Sequence, residues 1–280
     1  MVFSRAVETI ETIKTITTTE TLTTIKTITT IKIETRTTII KQQKWPLMNS
    51  ELQQYLTPTR YLDSNHPEIQ RYALETVNQA SSDQDKAVAL YYAVRDHFRY
   101  NPYALMNGDD TFVASNVLAA EEGFCVPKAI LLAALGRAVG IPTRLGFADV
   151  RNHLTSPKLK EMMKTDIFAF HGNTGFFINQ QWVKCTPAFN LSLCEKANIK
   201  PLEFNGKEDS LFHPLDNTGQ KHMEYLRDRG DHADFPKDEM MQAFAEVYGN
   251  LLASPDLPIS TDALGEDFSL RDFESEVVAE

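Results

Sequence analysis

Cysteine is scarce in this chain, which has three among 280 residues. Cys125, Cys185 and Cys194 are too few and too unevenly spaced for a disulfide framework or a four-thiolate metal site. We therefore expect free thiols in a reducing compartment. Any thiol chemistry must then come from a single cysteine and its surroundings.

Positive charge is in deficit, because 28 Lys and Arg stand against 38 Asp and Glu and give a formal net charge of -10. No basic stripe with interleaved aromatic residues runs along the chain, which argues against a nucleic-acid partner. No apolar run approaches the roughly 18 residues of a membrane span, and the N-terminus lacks the pattern of a secretory signal. The sequence therefore predicts a soluble, cytoplasmic protein without a membrane partner.

Composition divides the chain into three parts. Within residues 1–47, the stretch "TIETIKTITTTETLTTIKTITTIKIETRTTII" uses little beyond Thr, Ile, Lys and Glu. Its isoleucines mostly recur every three residues, which fits neither a strand nor a helix, so we predict a disordered low-complexity extension. Such an extension is an expanded repeat, or leader sequence translated ahead of a start at Met48, and a β-prone aggregation or membrane segment is the alternative. Residues 48–253 are predicted to form the folded domain, and 254–280 a solvated acidic tail.

Helical patterns come first in the central domain and strand patterns second. Amphipathic helices are predicted for "NHPEIQRYALETVNQ" and for "SSDQDKAVALYYAVRDHFRY", which starts with a capping-type Ser-x-x-Asp. Strands are predicted for "TRLGFADV", "DIFAFHG" and "TGFFINQQWVKCTPAF", with a hairpin turn near residues 179–181. This order indicates an α+β fold with an antiparallel sheet.

The segment "EEGFCVPKAILLAALGRAVGIPTRLGF", residues 121–147, places a lone cysteine at the start of a helix. That helix carries only two charged residues, Lys128 and Arg137, so we expect it to be buried. Unpaired backbone N–H groups and the helix dipole would favour the thiolate of Cys125, and Lys128 could lie beside the sulfur. Position alone fits a small buried core residue equally well.

A reactive thiolate needs a base, and His171 is the histidine best placed to supply one. It ends the alternating run "DIFAFHG", in which Ile167, Ala169 and His171 would share one face of a strand. At the edge of a sheet packed on the cysteine helix, His171 could reach the sulfur and form a Cys-His pair. A purely structural role is the alternative.

The remaining histidines indicate no metal or cofactor. His213 and His222 flank turn residues and are predicted to be solvated. The chain has no H-E-x-x-H, no paired C-x-x-C and no EF-hand loop. We therefore expect neither a metal ion, calcium included, nor another cofactor.

The stretch "GFCVPKAILLAALGRAVGIPTRLGF" resembles the core of the transglutaminase-like superfamily, in which a G-x-C element opens a helix that ends in R-A-x-G-I-P-x-R. The preceding "DQDKAVALYYAVRDHFRYN" resembles the helix that comes before that element. The spacing of the family's histidine, tryptophan and aspartate is matched by His171, Trp182 and Thr186, with threonine in place of the aspartate. The resemblance covers about residues 83–190.

The resemblance implies a papain-like fold, with Cys125 as nucleophile, His171 as base and Thr186 as the residue that orients the imidazole. It implies a cysteine-dependent amide hydrolase or acyltransferase, protease-like or transglutaminase-like, that acts on a peptide or protein through a thioester. Hydrolysis is favoured over cross-linking, because the extra domains of the large cross-linking enzymes are not seen. A threonine cannot supply negative charge to the imidazolium, so the alternative is a catalytically inactive module that binds a peptide or protein.

Several positions remain open from the sequence. Asp166, Asp149 and Asn190 are alternatives to Thr186 as the orienting group. Asn116 and Tyr103 are candidates for a side-chain donor to the oxyanion. The substrate, the acyl acceptor and the oligomeric state do not follow from the sequence.

Overall fold

The computed structural model describes residues 50–152, 157–211, 217–219, 222–252 and 273–277. The chain divides into two units between Leu47 and Met48, and the description concerns the second. The predicted extension over residues 1–47, His213 and most of the predicted acidic tail lie outside the described residues.

The described residues form an α+β domain in which a group of helices precedes an antiparallel sheet. The helices are α1 Ser50–Gln53, α2 Pro67–Thr76, α3 Asp83–His97, α4 Ala114–Ala120, α5 Cys125–Ala138, α6 Pro157–Met163, α7 Leu191–Lys196, α8 Lys237–Leu252 and α9 Phe273–Glu276. The strands are β1 Arg99–Tyr100, β2 Glu122–Gly123, β3 Thr143–Asn152, β4 Ile167–Ile178, β5 Gln181–Cys185 and β6 Met223–His232. Short 3-10 helices lie at Pro102–Asn107 and Asp109–Phe112.

The described strands form two separate sheets. β1 and β2 pair in parallel, whereas the other four strands form a sheet in the order β5-β4-β3-β6 with antiparallel neighbours. The predicted hairpin between β4 and β5 is confirmed, and its two turn residues, Asn179 and Gln180, both have left-handed backbone angles. Such a two-residue turn matches the twist of the strands that it joins. The α+β class predicted from the order of patterns is confirmed.

Helix α3 begins as its sequence predicts. The Ser82 side chain accepts a hydrogen bond from the Asp85 N–H at 3.1 Å, and the Asp85 carboxylate accepts one from the Ser82 N–H at 3.2 Å. This reciprocal capping box satisfies two donors that the first turn of a helix leaves unpaired. It fixes where α3 starts and therefore where its other end meets the core.

Helix α5 occupies the centre of the domain, and every residue from Cys125 to Arg137 is buried. The buried ammonium group of Lys128 is satisfied by hydrogen bonds at the end of α3. It donates to the carbonyl of Arg95 at 3.0 Å and to that of Phe98 at 2.6 Å. Burial lowers the pKa of Lys128 to about 7. The expectation that Lys128 lies beside the sulfur is wrong, because its side chain is committed to these carbonyls.

The sheet packs against α5 at very short range. The Thr174 hydroxyl of β4 donates to the Ala129 carbonyl of the helix at 2.8 Å. Further along, a Cβ atom on Gly136 would lie 2.5 Å from Thr143 Cγ2 and 2.8 Å from Phe176 Cε1. Only a glycine allows the helix to approach the sheet this closely.

The last described stretch of the chain differs from the solvated tail predicted for residues 254–280. Phe273 in α9 is buried against the rings of Tyr100 and Tyr103, at centroid distances of 5.7 and 6.2 Å. The Tyr103 hydroxyl also donates to the Glu276 carboxylate at 2.6 Å. The prediction of a solvated tail rested on its many acidic residues and overlooked Phe273, an aromatic side chain whose burial is favourable.

The described residues contain neither a membrane-spanning helix nor a group of side chains arranged as a metal site. Within the ranges given above, no helix is both long and apolar enough to cross a bilayer. Over the same part of the chain, no group of three or more His, Cys, Asp or Glu side chains is arranged to hold a metal ion.

The close packing at Gly136 generates a stability prediction. Gly136→Ala should lower the free energy of unfolding by about 1–3 kcal/mol, because the new methyl group overlaps Thr143 and Phe176. The matched control is Gly249→Ala in α8, where a Cβ atom meets nothing within 4 Å. That change should be neutral or stabilising by up to about 1 kcal/mol. Urea unfolding followed by tryptophan fluorescence measures both, and equal effects of the two changes would contradict the packing described.

Candidate active site

Cys125 is the first residue of α5, so its side chain lies where the helix leaves backbone donors unpaired. No side chain caps this end of the helix, and Pro127 contributes no N–H at all. The backbone N–H groups of Gly172, Val126 and Cys125 lie near enough to the Cys125 sulfur to lower the pKa of its thiol. The predicted placement of the cysteine at the start of a buried helix is confirmed.

Burial nevertheless outweighs these donors in setting the protonation state. Cys125 is only 7% exposed, and loss of hydration raises the pKa of its thiol to about 11, against the lowering effect of the three N–H groups. The thiolate expected from the helix dipole is therefore not the resting form at neutral pH. The position of Cys125 at a helix end correctly predicts that nearby N–H groups lower the pKa of the thiol. Burial has the larger effect, however, and the net pKa is raised.

Gly172 brings β4 into backbone contact with the first turn of α5. A Cβ atom at Gly172 would lie 3.1 Å from Val126 Cα and 3.4 Å from the Cys125 carbonyl oxygen. β5 ends at Cys185, opposite Thr174, and the Cys125 sulfur lies at the strand edge beyond that point, within reach of the Gly172 N–H. The residue before Gly172 is His171, so its backbone adjoins this contact with the first turn of α5.

A β-bulge changes the direction of the strand immediately before His171. His171 pairs with Ala148 and Phe168 with Val150, so two residues of β4 stand opposite one residue of β3. Phe170 has a left-handed φ of 57°, a conformation that costs a non-glycine residue about 1–2 kcal/mol. The prediction that His171 shares a face with Ala169 is wrong, because the extra residue shifts the alternation and places His171 with Phe168.

An ion pair holds the bulge in place. The Asp149 carboxylate accepts a hydrogen bond from the Phe170 N–H at 3.1 Å and two more from the Arg229 guanidinium at 2.6 and 2.8 Å. On the other side, the Tyr248 hydroxyl accepts from the Ala169 N–H at 2.8 Å and donates to the Ile167 carbonyl at 3.1 Å. Asp149, an alternative orienting group from the sequence, therefore acts on the backbone ahead of His171.

His171 is buried and lies near a second histidine. Burial, together with the charge that His222 can carry, lowers the pKa of His171 to about 3. His171 is therefore neutral at neutral pH and able to accept a proton. His222 was predicted to be solvated, but it is 2% exposed and stacks on the Phe189 ring at 6.1 Å. That prediction is wrong, because the contact with Phe189 is a tertiary one that no local pattern encodes.

Thr186 lies close to this histidine pair without making the predicted hydrogen bond. Its N–H donates to the Ser210 carbonyl at 3.1 Å, but its buried hydroxyl has no hydrogen-bond partner. The hydroxyl therefore does not accept from the His171 imidazole. Thr186 and His222 line the same small cavity, which has about 290 Å³ of empty space.

The other two alternatives for the orienting residue have different partners. The Asn190 side chain accepts from the Tyr100 N–H at 3.0 Å and donates to Ser192 and Glu274 at 2.7 and 3.2 Å. Asp166 forms an ion pair with Arg151 at 3.4 Å, and both side chains are partly exposed. The structure therefore brings together Cys125 and the His171–Gly172 backbone, and it places Thr186 and His222 at the next cavity.

Cys125 faces an open, apolar cleft with about 660 Å³ of empty space. None of the described residues that line it is charged, and the polar side-chain groups that they contribute are the thiol and the two tyrosine hydroxyls. The lining residues are Tyr100, Pro102, Leu105, Phe124, Cys125, Leu159, Met163, Phe168, Ala169, Phe170, Phe244 and Tyr248.

The sequence candidates for an oxyanion donor do not line this cleft. The Asn116 side chain donates to the Asp110 carbonyl at 3.1 Å on an exposed surface, and the Tyr103 hydroxyl bonds to Glu276. Tyr100, which sequence reasoning missed, lines the cleft instead. The two-residue strand that carries it is too short to show any periodicity.

Comparison with known proteins agrees with this architecture. A family model described as the transglutaminase-like superfamily matches residues 70–187, a range that includes Cys125, His171 and Thr186. This confirms the resemblance predicted from the sequence, and with it a transglutaminase-like α+β fold for that segment. No curated protein matches the chain.

Two solved structures show weaker similarity. One is described as a candidate cysteine protease from Cytophaga hutchinsonii, with 19% identity and a TM-score of 0.39 over 50% of this chain and 43% of that one. The other is described as a candidate protease from Parabacteroides distasonis, with 16% identity and a TM-score of 0.32 over 45% of this chain and 24% of that one. The aligned part of this chain thus spans less than half the length of either structure.

The raised pKa of Cys125 predicts how its reaction with iodoacetamide depends on pH. The thiolate fraction grows about tenfold per pH unit below the pKa, so the alkylation rate should keep rising from pH 7 to pH 10. Glutathione, with an ordinary thiol, is the control and should level off near pH 9 to 10. Peptide mapping by mass spectrometry separates Cys125 from Cys185 and Cys194. A rate that is already constant between pH 5 and pH 8 would instead indicate a resting thiolate–imidazolium pair.

Proposed function

We propose that the domain containing the transglutaminase-like segment 70–187 is a cysteine-dependent amidase that cleaves a peptide or amide bond through a thioester on Cys125. The observation that carries this proposal is the position of the sulfur. It lines an open cleft, backbone N–H groups near it lower the pKa of its thiol, and the backbone of Gly172, the residue after His171, contacts the first turn of α5. A cysteine that served only as a core residue would not need these donors or an opening to the surface.

In this mechanism both reacting groups start neutral. As the Cys125 sulfur attacks the carbonyl carbon, His171 takes the thiol proton and the carbonyl electrons move onto the oxygen. The Cys125 and Val126 N–H groups then stabilise the oxyanion. When the oxyanion collapses, the C–N bond breaks and His171 gives its proton to the departing amine. Water attacks the thioester with His171 again as base, which releases the acid and restores the thiol.

The lining of the cleft supports an apolar acyl group as substrate. Transfer of a phenyl-sized side chain from water into such a cleft is worth about 1.5–3 kcal/mol. A charged side chain would lose hydration there without gaining a partner, since none of the lining residues is charged. The absence of a carboxylate from the lining also gives a cationic amine acceptor nothing to bind, and we therefore favour water as acceptor.

The second candidate function is a peptide-binding module of the same fold. It is favoured by Thr186, whose hydroxyl neither orients His171 nor supplies negative charge to an imidazolium. In that case the cleft would bind an apolar peptide segment without cleaving it. The two candidates share a ligand class and differ in whether a covalent intermediate forms.

Mass spectrometry of the intact protein can distinguish these two functions. Wild type incubated with a library of peptide amides bearing aromatic side chains should gain an acyl adduct, which hydroxylamine removes as a hydroxamate. Cys125→Ala should form no adduct, and His171→Ala should release product about 10²–10⁴ times more slowly, because it lacks the base. Cys194→Ala is the matched control and should behave as wild type. Binding of the peptides without adduct or product in wild type would support the module instead.

The apolar lining predicts a preference that a single residue can change. Wild type should favour the p-nitrophenyl ester of 3-phenylpropionic acid over that of 4-aminobutyric acid by about 10- to 100-fold in kcat/KM. Met163→Glu places a carboxylate at the half-buried cleft wall and should reduce that preference at least fivefold, roughly 1 kcal/mol. Met241→Glu, at an exposed position of α8, is the control and should leave the preference unchanged. An unchanged preference in Met163→Glu would place the acyl group elsewhere.

A further inference from the structure

The short ladder between β1 and β2 fixes Tyr100 beside the approach to the nucleophile. Tyr100 pairs with Gly123, which precedes Cys125 by two residues. Hydrogen bonds on either side of Tyr100 hold this register, from the Arg99 N–H to the Glu121 carbonyl at 3.0 Å and from the Asn101 N–H to the Gly123 carbonyl at 3.1 Å. Neighbouring strands lie about 4.8 Å apart, so the two backbones move as one unit.

The ring of Tyr100 is held as firmly as its backbone. Phe189 contacts it edge-on at a centroid distance of 4.8 Å, and Phe273 does so at 5.7 Å. The Asn190 side chain accepts a hydrogen bond from the Tyr100 N–H. These contacts leave the ring on the wall of the cleft that contains Cys125. A side chain with so little freedom can present its hydroxyl in one direction.

Neighbouring tyrosines use their hydroxyl groups within the protein. The Tyr248 hydroxyl bonds to the β4 backbone, that of Tyr103 to Glu276 and that of Tyr91 to the Leu202 carbonyl. Among the residues that the structure describes, the Tyr100 hydroxyl has no such partner. Burial is the main reason why the pKa of Tyr100 lies well above its ordinary value, and a negative charge on Cys125 acts in the same direction. The group therefore stays protonated and remains a donor throughout the working pH range.

We propose that the Tyr100 hydroxyl is a catalytic hydrogen-bond donor that, together with the Cys125 N–H, binds the substrate carbonyl oxygen as it becomes an oxyanion. This inference rests on the proposed amidase function. In the step concerned, the S–C bond forms, the carbonyl π electrons move onto oxygen, and the thiol proton passes to His171. Tyr100 keeps its own proton and contributes a hydrogen bond that strengthens as negative charge develops.

The test compares a reaction that forms an oxyanion with one that does not. Acylation of Cys125 by the p-nitrophenyl ester of 3-phenylpropionic acid passes through a tetrahedral oxyanion, whereas alkylation by iodoacetamide does not. Tyr100→Phe keeps the ring and its packing and removes only the donor. We expect acylation to slow about 10²–10³-fold, chiefly in kcat, and alkylation to stay within about twofold of wild type. Tyr92→Phe removes a hydroxyl that donates to Glu203 outside the cleft, and it should change neither rate.

Each outcome bears on the inference. Normal acylation in Tyr100→Phe would overturn it while leaving the amidase proposal intact. Equal slowing of acylation and alkylation would also overturn it, because a structural role affects both reactions alike. If wild type is alkylated at Cys125 but never acylated by the ester, the amidase proposal fails and this inference fails with it. Selective loss of acylation supports both.

Discussion

The contact between the Gly172 backbone and the first turn of α5 is the constraint on which the rest of the site depends. A side chain at position 172 would push the strand away from Val126 and the Cys125 carbonyl. Because Gly172 has no side chain, its N–H comes near enough to the sulfur to lower the pKa of the Cys125 thiol, and His171 precedes this contact directly. The bulge at Phe170, held by Asp149 and Arg229, adjusts the same strand just before that contact. Helix α5, strand β4 and the Asp149–Arg229 ion pair therefore all contribute to the geometry of one contact, the junction between Gly172 and the first turn of α5.

Burial of that junction also decides its electrostatics. The cysteine and the histidine both lose hydration, which raises the pKa of the first and lowers the pKa of the second. Both shifts disfavour a resting ion pair, although the helix end alone favours a thiolate. Charge would then separate only when a carbonyl group occupies the cleft and its oxygen can receive hydrogen bonds. A thiol with so high a pKa reacts only slowly with small oxidants and alkylating agents at neutral pH.

The features visible in the sequence are those encoded by local patterns. The buried helix that starts at Cys125, the capping box of α3 and the β4–β5 hairpin follow from apolar runs, cap residues and strand periodicity, and so does the α+β order. The bulge at Phe170 could not be predicted, because an alternating sequence looks the same with or without an extra residue. His222 and Lys128 were misplaced since their partners, Phe189 and the end of α3, are distant in the chain. Tyr100 was missed because two residues are too few for any period.

The contact between Phe273 and Tyr100 links α9 to the cleft that contains Cys125. Phe273 supplies one wall for a ring whose other wall is Phe189, and neighbouring α9 residues bond to Asn190 and Tyr103. A chain cut after α8 would keep its thiol, its imidazole and the whole sheet, yet the Tyr100 ring would lose half of its support. Synthesis on the ribosome reaches Phe273 only after every other described element has been made. The site therefore acquires this support for the Tyr100 ring only after synthesis has passed α9.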